Sequence, residues 1–282
     1  MKVTPENLEL ETRNSKLITA RDNSLLRLAR AVRDGRDQSL IFVEGLRLCE
    51  EALNSGLEIH AVIYSNEIAR KERAAALLSE LDKKCERMGE VSESLLATVS
   101  YTKTPQGMIV LAARPVSGKE RLAATGAELP LLVIMDSINN PVNVGAILRS
   151  AEAAGATGVI TTGDSSDPFS PKALRGAMGS AFRVPIWSGA TYQEALNWCA
   201  ERKIKTVCSD LSATTVHTKI DWNESRALIL GPESTGLSQD QVRIADERVK
   251  IPMHGEVESL NVGVAAAILL YEAARQRNSS DD

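Results

Sequence analysis

Apolar residues arrive along this chain in short bursts, separated by longer stretches where they recur every three or four positions. Segments 39–43, 59–64 and 108–113 are bursts of strand length, while 44–54 and 67–81 have the composition of helices. Ahead of them, Leu25, Leu28 and Val32 form the apolar side of one more helix. Strands alternating with helices predict a small α/β domain over 1–114. The run Arg114-Pro115-Val116-Ser117-Gly118-Lys119 breaks the pattern, so 115–129 reads as a linker. A second series fills 130–282. Its strands are expected at 131–135, 158–162, 184–187, 205–209, 227–230 and 248–251, and its helices at 143–154, 171–178, 192–202 and 259–277. These strands are apolar almost throughout, which predicts a parallel sheet covered by helices on both faces. The polar residues 278–282 are expected to be disordered.

Composition agrees with two domains of ordinary size in 282 residues. Hydrophobic residues make up 43% and aromatics only 4%, so the cores must be aliphatic. No run approaches the ~18 apolar residues of a membrane span, and the first residues carry no apolar signal segment, so a cytoplasmic protein is expected. Cys49, Cys85, Cys199 and Cys208 lack CxxC spacing and read as buried free thiols. His60, His217 and His254 are scattered, and no metal site is expected. A net charge of −4 does not by itself suggest a nucleic-acid partner. Its distribution does more: residues 13–36 hold seven Arg or Lys against Asp22 and Asp34. Arg27, Arg30 and Arg33 recur every three residues on a helix whose other side is apolar. Such a stripe either tracks a phosphate backbone or is a solvated helix face.

An α/β chain invites a nucleotide reading, yet no two glycines are separated by one residue, so GxGxxG is absent. The only Gly-Lys pair, Gly118-Lys119, has no glycine at Walker spacing before it. A nucleotide-like cofactor therefore needs a different loop design. Three segments at strand ends offer one. In 136–151, a strand gives way to Asp136-Ser137-Ile138-Asn139-Asn140-Pro141, with Asn143 expected as a helix N-cap and Arg149 set among apolar neighbours. In 230–238, Leu230-Gly231-Pro232-Glu233-Ser234-Thr235-Gly236 joins small residues to one carboxylate, which suits either close backbone approach to a ligand or a tight structural turn. In 251–265, a strand stops at Pro252, Ser259 is placed to cap the last helix, and the polar Asn261 precedes a run of small residues.

Together, and in this order, the three segments resemble the signature motifs of the SpoU (TrmH) family of SPOUT methyltransferases over 131–277. Pro232 and Ser234 depart from the usual Asn and Gly of the second motif, while Glu233 and Gly236 are kept. The earlier part, with Phe42-Val43-Glu44-Gly45 and Thr104-Pro105-Gln106-Gly107, is similar to that family's substrate-binding domain, itself like a ribosomal RNA-binding protein. The resemblance implies a catalytic domain with a deep trefoil knot and a homodimer joined through it, the RNA site drawing on both chains. It implies S-adenosylmethionine (SAM) as cofactor, with Ser209, Leu230, Gly231, Gly236, Ile251, Met253 and Leu260 lining its pocket. It implies transfer of the SAM methyl group to an RNA ribose 2′-hydroxyl, with Arg149 as main catalytic residue and Asn143, Glu233, Ser259 and Asn261 shaping the site. Lys172 and Arg175 join Arg27, Arg30 and Arg33 as expected RNA contacts, or else mark an ordinary helix start. The extra N-terminal domain favours ribosomal over transfer RNA. The reading from a different class, an RNA-binding module without catalysis, sits poorly with an intact Arg149, Glu233, Ser259 and Asn261.

Overall fold

The computed structural model describes residues 15–256 and 258–278. Arg13 of the basic segment and tail residues 279–282 lie outside them. The chain divides into two compact units. One runs to Pro115 and takes in Phe169–Pro171, and the other comprises Val116–Pro168 and the chain from Lys172 onward.

The first unit contains β1 (Ser15–Leu17), α1 (Ser24–Arg33), β2 (Leu40–Glu44), α2 (Leu46–Asn54), β3 (Ile59–Ser65), α3 (Asn66–Ala69), α4 (Glu72–Asp82), β4 (Met88–Val91), α5 (Glu93–Ala97) and β5 (Met108–Ala113). Its five strands run in the order β1-β4-β3-β5-β2, with β5 antiparallel to both neighbours and the other pairs parallel. Leu25, Leu26, Ala29 and Val32 turn inward from α1 and pack with Phe42, Ile63 and Leu111 of the sheet. The expected helix over 67–81 is two helices. Ser65 Oγ caps the first by accepting from Ile68 N at 3.2 Å, and the chain breaks at Arg70 and Lys71 before the second. β1 and β4 were not legible, because three and four residues, one of them Gly89, leave no room for an alternating pattern.

The second unit contains α6 (Lys119–Ala123), β6 (Leu131–Asp136), α7 (Pro141–Ala153), β7 (Gly158–Thr162), α8 (Pro171–Ala177), α9 (Ser180–Arg183), β8 (Ile186–Ala190), α10 (Tyr192–Glu201), β9 (Lys205–Ser209), β10 (Arg226–Leu230), α11 (Gln239–Ile244), β11 (Glu247–Val249) and α12 (Val262–Asn278). Its six strands form one parallel sheet in the order β11-β9-β10-β6-β7-β8. Every residue of β6, β7 and β10 is buried, as two covered faces require. The stretch expected as a linker carries α6, whose Leu122 is buried in the core beside Leu132 and Ile160. Asn278 closes α12. Two glycines let α7 and α8 touch: a Cβ on Gly145 would lie 2.8 Å from Gly176 Cα and closer still to the Ala173 carbonyl oxygen, at 2.4 Å.

Candidate active site

Three strands of the parallel sheet, β9, β10 and β11, end on the same side, and the loops leaving them enclose a cavity of about 440 Å³. Open parallel sheets place ligands at the carboxyl ends of their strands, where the connections diverge. Ser209 and Asp210 come from the end of β9, Leu230 through Leu237 from the end of β10, and Lys250, Ile251, Met253 and Leu260 from beyond β11. All seven residues expected to touch the cofactor line this one cavity, together with Glu233 and Ser259. The loop after β10 folds tightly on itself. Gly236 N donates to Pro232 O at 2.9 Å, Gly236 has φ +65°, and a Cβ on Gly231 would come within 2.7 Å of Leu237 N. The lining combines Leu230, Leu237, Ile251, Met253 and Val262 with three carboxylates, Asp210, Glu233 and Glu258, against one cation, Lys250. A partly apolar slot with a net negative rim suits a flat aromatic ring carried by a cation, which describes SAM.

The other expected catalytic residues stand outside this lining. Asn143 is not the N-cap of α7. Asn140 caps it by accepting from Val142 N at 3.0 Å, with Pro141 at the first helical position, which pre-sets the backbone for a helix. Asn143 lies one turn in and is buried. Ser259 does not cap α12 either. Asn261 does so, its Oδ1 accepting from Gly263 N at 3.0 Å and Val264 N at 3.3 Å, because the helix starts three residues later than expected. The Nδ2 of Asn261 then donates to Asn143 Oδ1 at 3.2 Å, so the first and third motifs meet through a pair of amides. Asn143 Nδ2 is left buried with no partner among the described residues.

Arg149 does not sit among apolar side chains. Successive helical residues are rotated by about 100°, so Ile147 and Leu148 point into the core while Arg149 turns out to solvent. Its carboxylate neighbour Glu152 is taken by Arg183, whose Nη2 donates to Glu152 Oε2 at 2.9 Å. That pairing holds the Glu152 carboxyl below its ordinary range. Lys172 and Arg175 are likewise exposed on α8.

The basic stripe of the first unit contracts. Residues three apart drift by about 60° around a helix, so Arg27 and Arg33 lie about 120° apart. Arg33 turns towards the protein, its Nη1 donating to Val99 O at 3.1 Å and its Nε to Asp34 at 2.7 Å. Arg30 donates to the Arg21 carbonyl, and Arg27 remains exposed. Elsewhere in this unit the first of the two noted fragments is held by residues that flank the second. The buried Glu44 carboxylate accepts from Tyr101 N at 2.9 Å, Thr102 N at 3.2 Å and Thr102 Oγ1 at 2.7 Å, and Gly45 N donates to Met108 O at 2.9 Å.

No cysteine is poised as a nucleophile. All four are buried, and burial pushes each thiol up, Cys208 to about 11 and Cys199 to about 12. Among the described residues no cluster of His, Cys, Asp and Glu is arranged to hold a metal, and no helix is long and apolar enough to cross a membrane.

The model of the SpoU rRNA Methylase family matches residues 130–271, and that of the MRM3-like substrate binding domain matches 25–110. The chain belongs to the SpoU rRNA methylase family. It is 31% identical to the 23S rRNA (guanosine(2553)-2'-O)-methyltransferase RlmP of Bacillus subtilis, over 81% of this chain and 86% of the relative. It is 29% identical to the 23S rRNA (uridine(2479)-2'-O)-methyltransferase of Streptomyces viridochromogenes, over 84% and 83%. Among solved structures, the SpoU methyltransferase AviRb from Streptomyces viridochromogenes in complex with AdoMet aligns with TM-score 0.81 and 28% identity, covering 91% of this chain and 99% of that one. For a SpoU methylase, several residues of the site escaped sequence reasoning. Asp210, Lys250 and Glu258 each adjoin an expected residue and were within reach of it. Gln241, behind the cavity wall and not part of its lining, carried its own signal, the Ser238-x-x-Gln241 spacing of a capping box.

Proposed function

We propose that this protein transfers the methyl group of SAM to a ribose 2′-hydroxyl of ribosomal RNA, of the 23S type. The observation that carries this reading is the cavity at the ends of β9, β10 and β11, which gathers the seven residues expected to hold the cofactor, far apart in sequence, around a partly apolar, net negative slot. SAM supplies a methyl group already activated on a sulfonium, so the protein has to position the hydroxyl and manage its proton. Arg149 is exposed, with no carboxylate partner among the described residues, and its planar fork suits two oxygens of one phosphate. A guanidinium carries donors and no acceptor, so Arg149 orients the hydroxyl and its phosphate, and the phosphate or a water takes the proton. Glu233 and Ser259 act from the cavity rim, and Asn143 and Asn261 hold α7 and α12 in register. The first unit supplies RNA affinity through its exposed Arg27, and the exposed Lys172 and Arg175 of the second unit add RNA contacts. The knot belongs to the same reading. The end of α12 is anchored beside the sheet, where Arg277 donates to the carbonyls of Leu129, Trp222 and Glu224, gripping two distant stretches of chain.

The test pairs calorimetry with mapping. The full chain binds SAM, and ribosomal RNA from cells lacking the protein loses one 2′-O-methyl mark that the purified enzyme restores. Loss of a transfer RNA mark instead would move the substrate, and failure to bind SAM would leave an RNA-binding module.

The same reading includes a homodimer through the catalytic unit. Val264 and Tyr271, seven residues apart on α12, are 49% and 56% exposed, and Val142 on α7 is 45% exposed. Large apolar side chains left in water on helices are candidates for burial against a second copy. A second copy covering them accounts for an Arg149 that does not line its own chain's cavity. Light scattering is expected to give a dimer at micromolar concentration, and Tyr271→Glu to shift it towards monomer. A monomeric wild-type chain would end this assignment.

A further inference from the structure

In the second unit the mechanism leaves a buried carboxylate unused. Asp136 is the last residue of β6, 5% exposed, and forms no ion pair among the described residues. Two neutral donors hold it: Thr162 Oγ1, from the paired end of β7, at 2.5 Å to Oδ1, and Gln241 Nε2, from α11, at 2.9 Å to Oδ2. Gln241 uses its other amide atom in the opposite direction. Its Oε1 accepts from Ser238 N at 2.8 Å, while its backbone N donates to Ser238 Oγ at 3.2 Å. Ser238 immediately follows Leu237, the end of the loop that forms one wall of the cavity. One side-chain amide thus joins the floor of the sheet to the far end of that loop, across 105 residues of sequence. Neither neighbouring group can replace it. Leu237 has no hydrogen-bonding side chain, and Thr162 already serves the other carboxylate oxygen.

We infer that Gln241 is a positioning residue for the cofactor, acting through Asp136 to fix the loop 231–238 in its binding shape. This rests on the cavity being the SAM site. A loop that is ordered before binding keeps the full intrinsic affinity, whereas a loop in the binding shape only part of the time loses affinity by that fraction. The device is specific to an amide, because one end must donate to a carboxylate and the other accept from a backbone N–H.

The discriminating variant is Gln241→Glu. It keeps size and the acceptor for Ser238 N, and sets a second carboxylate against Asp136. Two carboxylates sharing a site hold one proton between them when it is available and repel when it is not. Tyr192 on α10 lies beside Asp136 and is raised by burial and then by Cys208 and Asp136, and Cys208 on β9, which faces Tyr192, is pushed up to about 11, so neither titrates in the range used; Asp240 and Arg243, on either side of Gln241 on α11, pair with each other in solvent. Calorimetry on the full chain is expected to show Gln241→Glu binding SAM about tenfold more weakly than wild type at about pH 8, and within about twofold of it at about pH 5.5. At saturating SAM its kcat is expected to stay near wild type, the loss appearing in KM for SAM. Equal affinity of variant and wild type at both pH values, or an equal loss at both, overturns the inference. If Gln241→Glu fails to fold, Gln241→Ala at this half-buried position replaces it. About tenfold weaker binding with kcat retained is expected, and unchanged affinity overturns the inference. A wild-type chain that does not bind SAM would instead sink the proposed function itself.

Discussion

Replacing Arg149 with alanine is expected to leave folding and SAM affinity nearly unchanged and to lower methyl transfer by about two to four orders of magnitude, the scale of lost positioning and proton management. The asymmetry comes from where the side chain lies. It is exposed on α7, and Glu152, the one acid a turn away, is held by Arg183. Truncating an exposed, unpaired side chain shifts stability by no more than about 0.5 kcal/mol. The guanidinium's value is therefore reserved for a ligand. Arg149→Lys is expected to recover little, because a point charge does not reproduce a planar fork. Single-turnover transfer at saturating SAM, with a thermal melt and SAM calorimetry on the same samples, checks all three statements. Near-normal turnover in the alanine variant would remove Arg149 from the chemistry. A collapsed melt would make it structural.

The opposite asymmetry is expected at Arg226. This residue opens β10 and is 2% exposed, the most deeply buried charge of the second unit's sheet. Its Nε donates to Asp221 O at 2.9 Å, Nη1 to Glu247 of β11 at 2.5 Å, and Nη2 pairs with Glu224 at 2.9 Å. Removing one partner of a buried pair costs about 3–5 kcal/mol. The low end applies here, because Glu224 and Glu247 retain water at 44% and 32% side-chain exposure and can rehydrate. Arg226→Ala is thus expected to destabilise the protein by about 3 kcal/mol, read as a lower urea midpoint at unchanged slope. Arg226→Met, which fills the same space, is expected to lose less. β10 and β11 lead directly into two walls of the cavity, so SAM should raise the urea midpoint of the alanine variant as it does that of wild type. A loss below about 1 kcal/mol would show that this guanidinium does not join the strands.

The sequence by itself determined the elements and the chemistry of the strand ends. Apolar bursts such as 131–135 and 227–230 can satisfy their backbone and bury both faces only as inner strands of a covered sheet, and that is where they lie. Glycine and small polar residues after those bursts marked the loops, so Gly231, Ile251 and Leu260 could be named together before any distance was known. What local pattern cannot carry is which polar atom meets which across the fold. Arg27, Arg30 and Arg33 look equivalent in sequence, yet carbonyls at 98–100, far along the chain, claim Arg33. Ser259 and Asn261 are both good caps, and the packing of α12 on α7 chose Asn261, whose amide also reaches Asn143. Arg149 reads as a charge in an apolar run until helical rotation turns it outward, while Arg226, at the head of an equally apolar run, is turned inward to two acids. Hydrogen bonds and ion pairs act over about 3 Å and depend on direction, so residues more than a hundred positions apart, like Asp136 and Gln241, become partners only once the strands and helices have been packed.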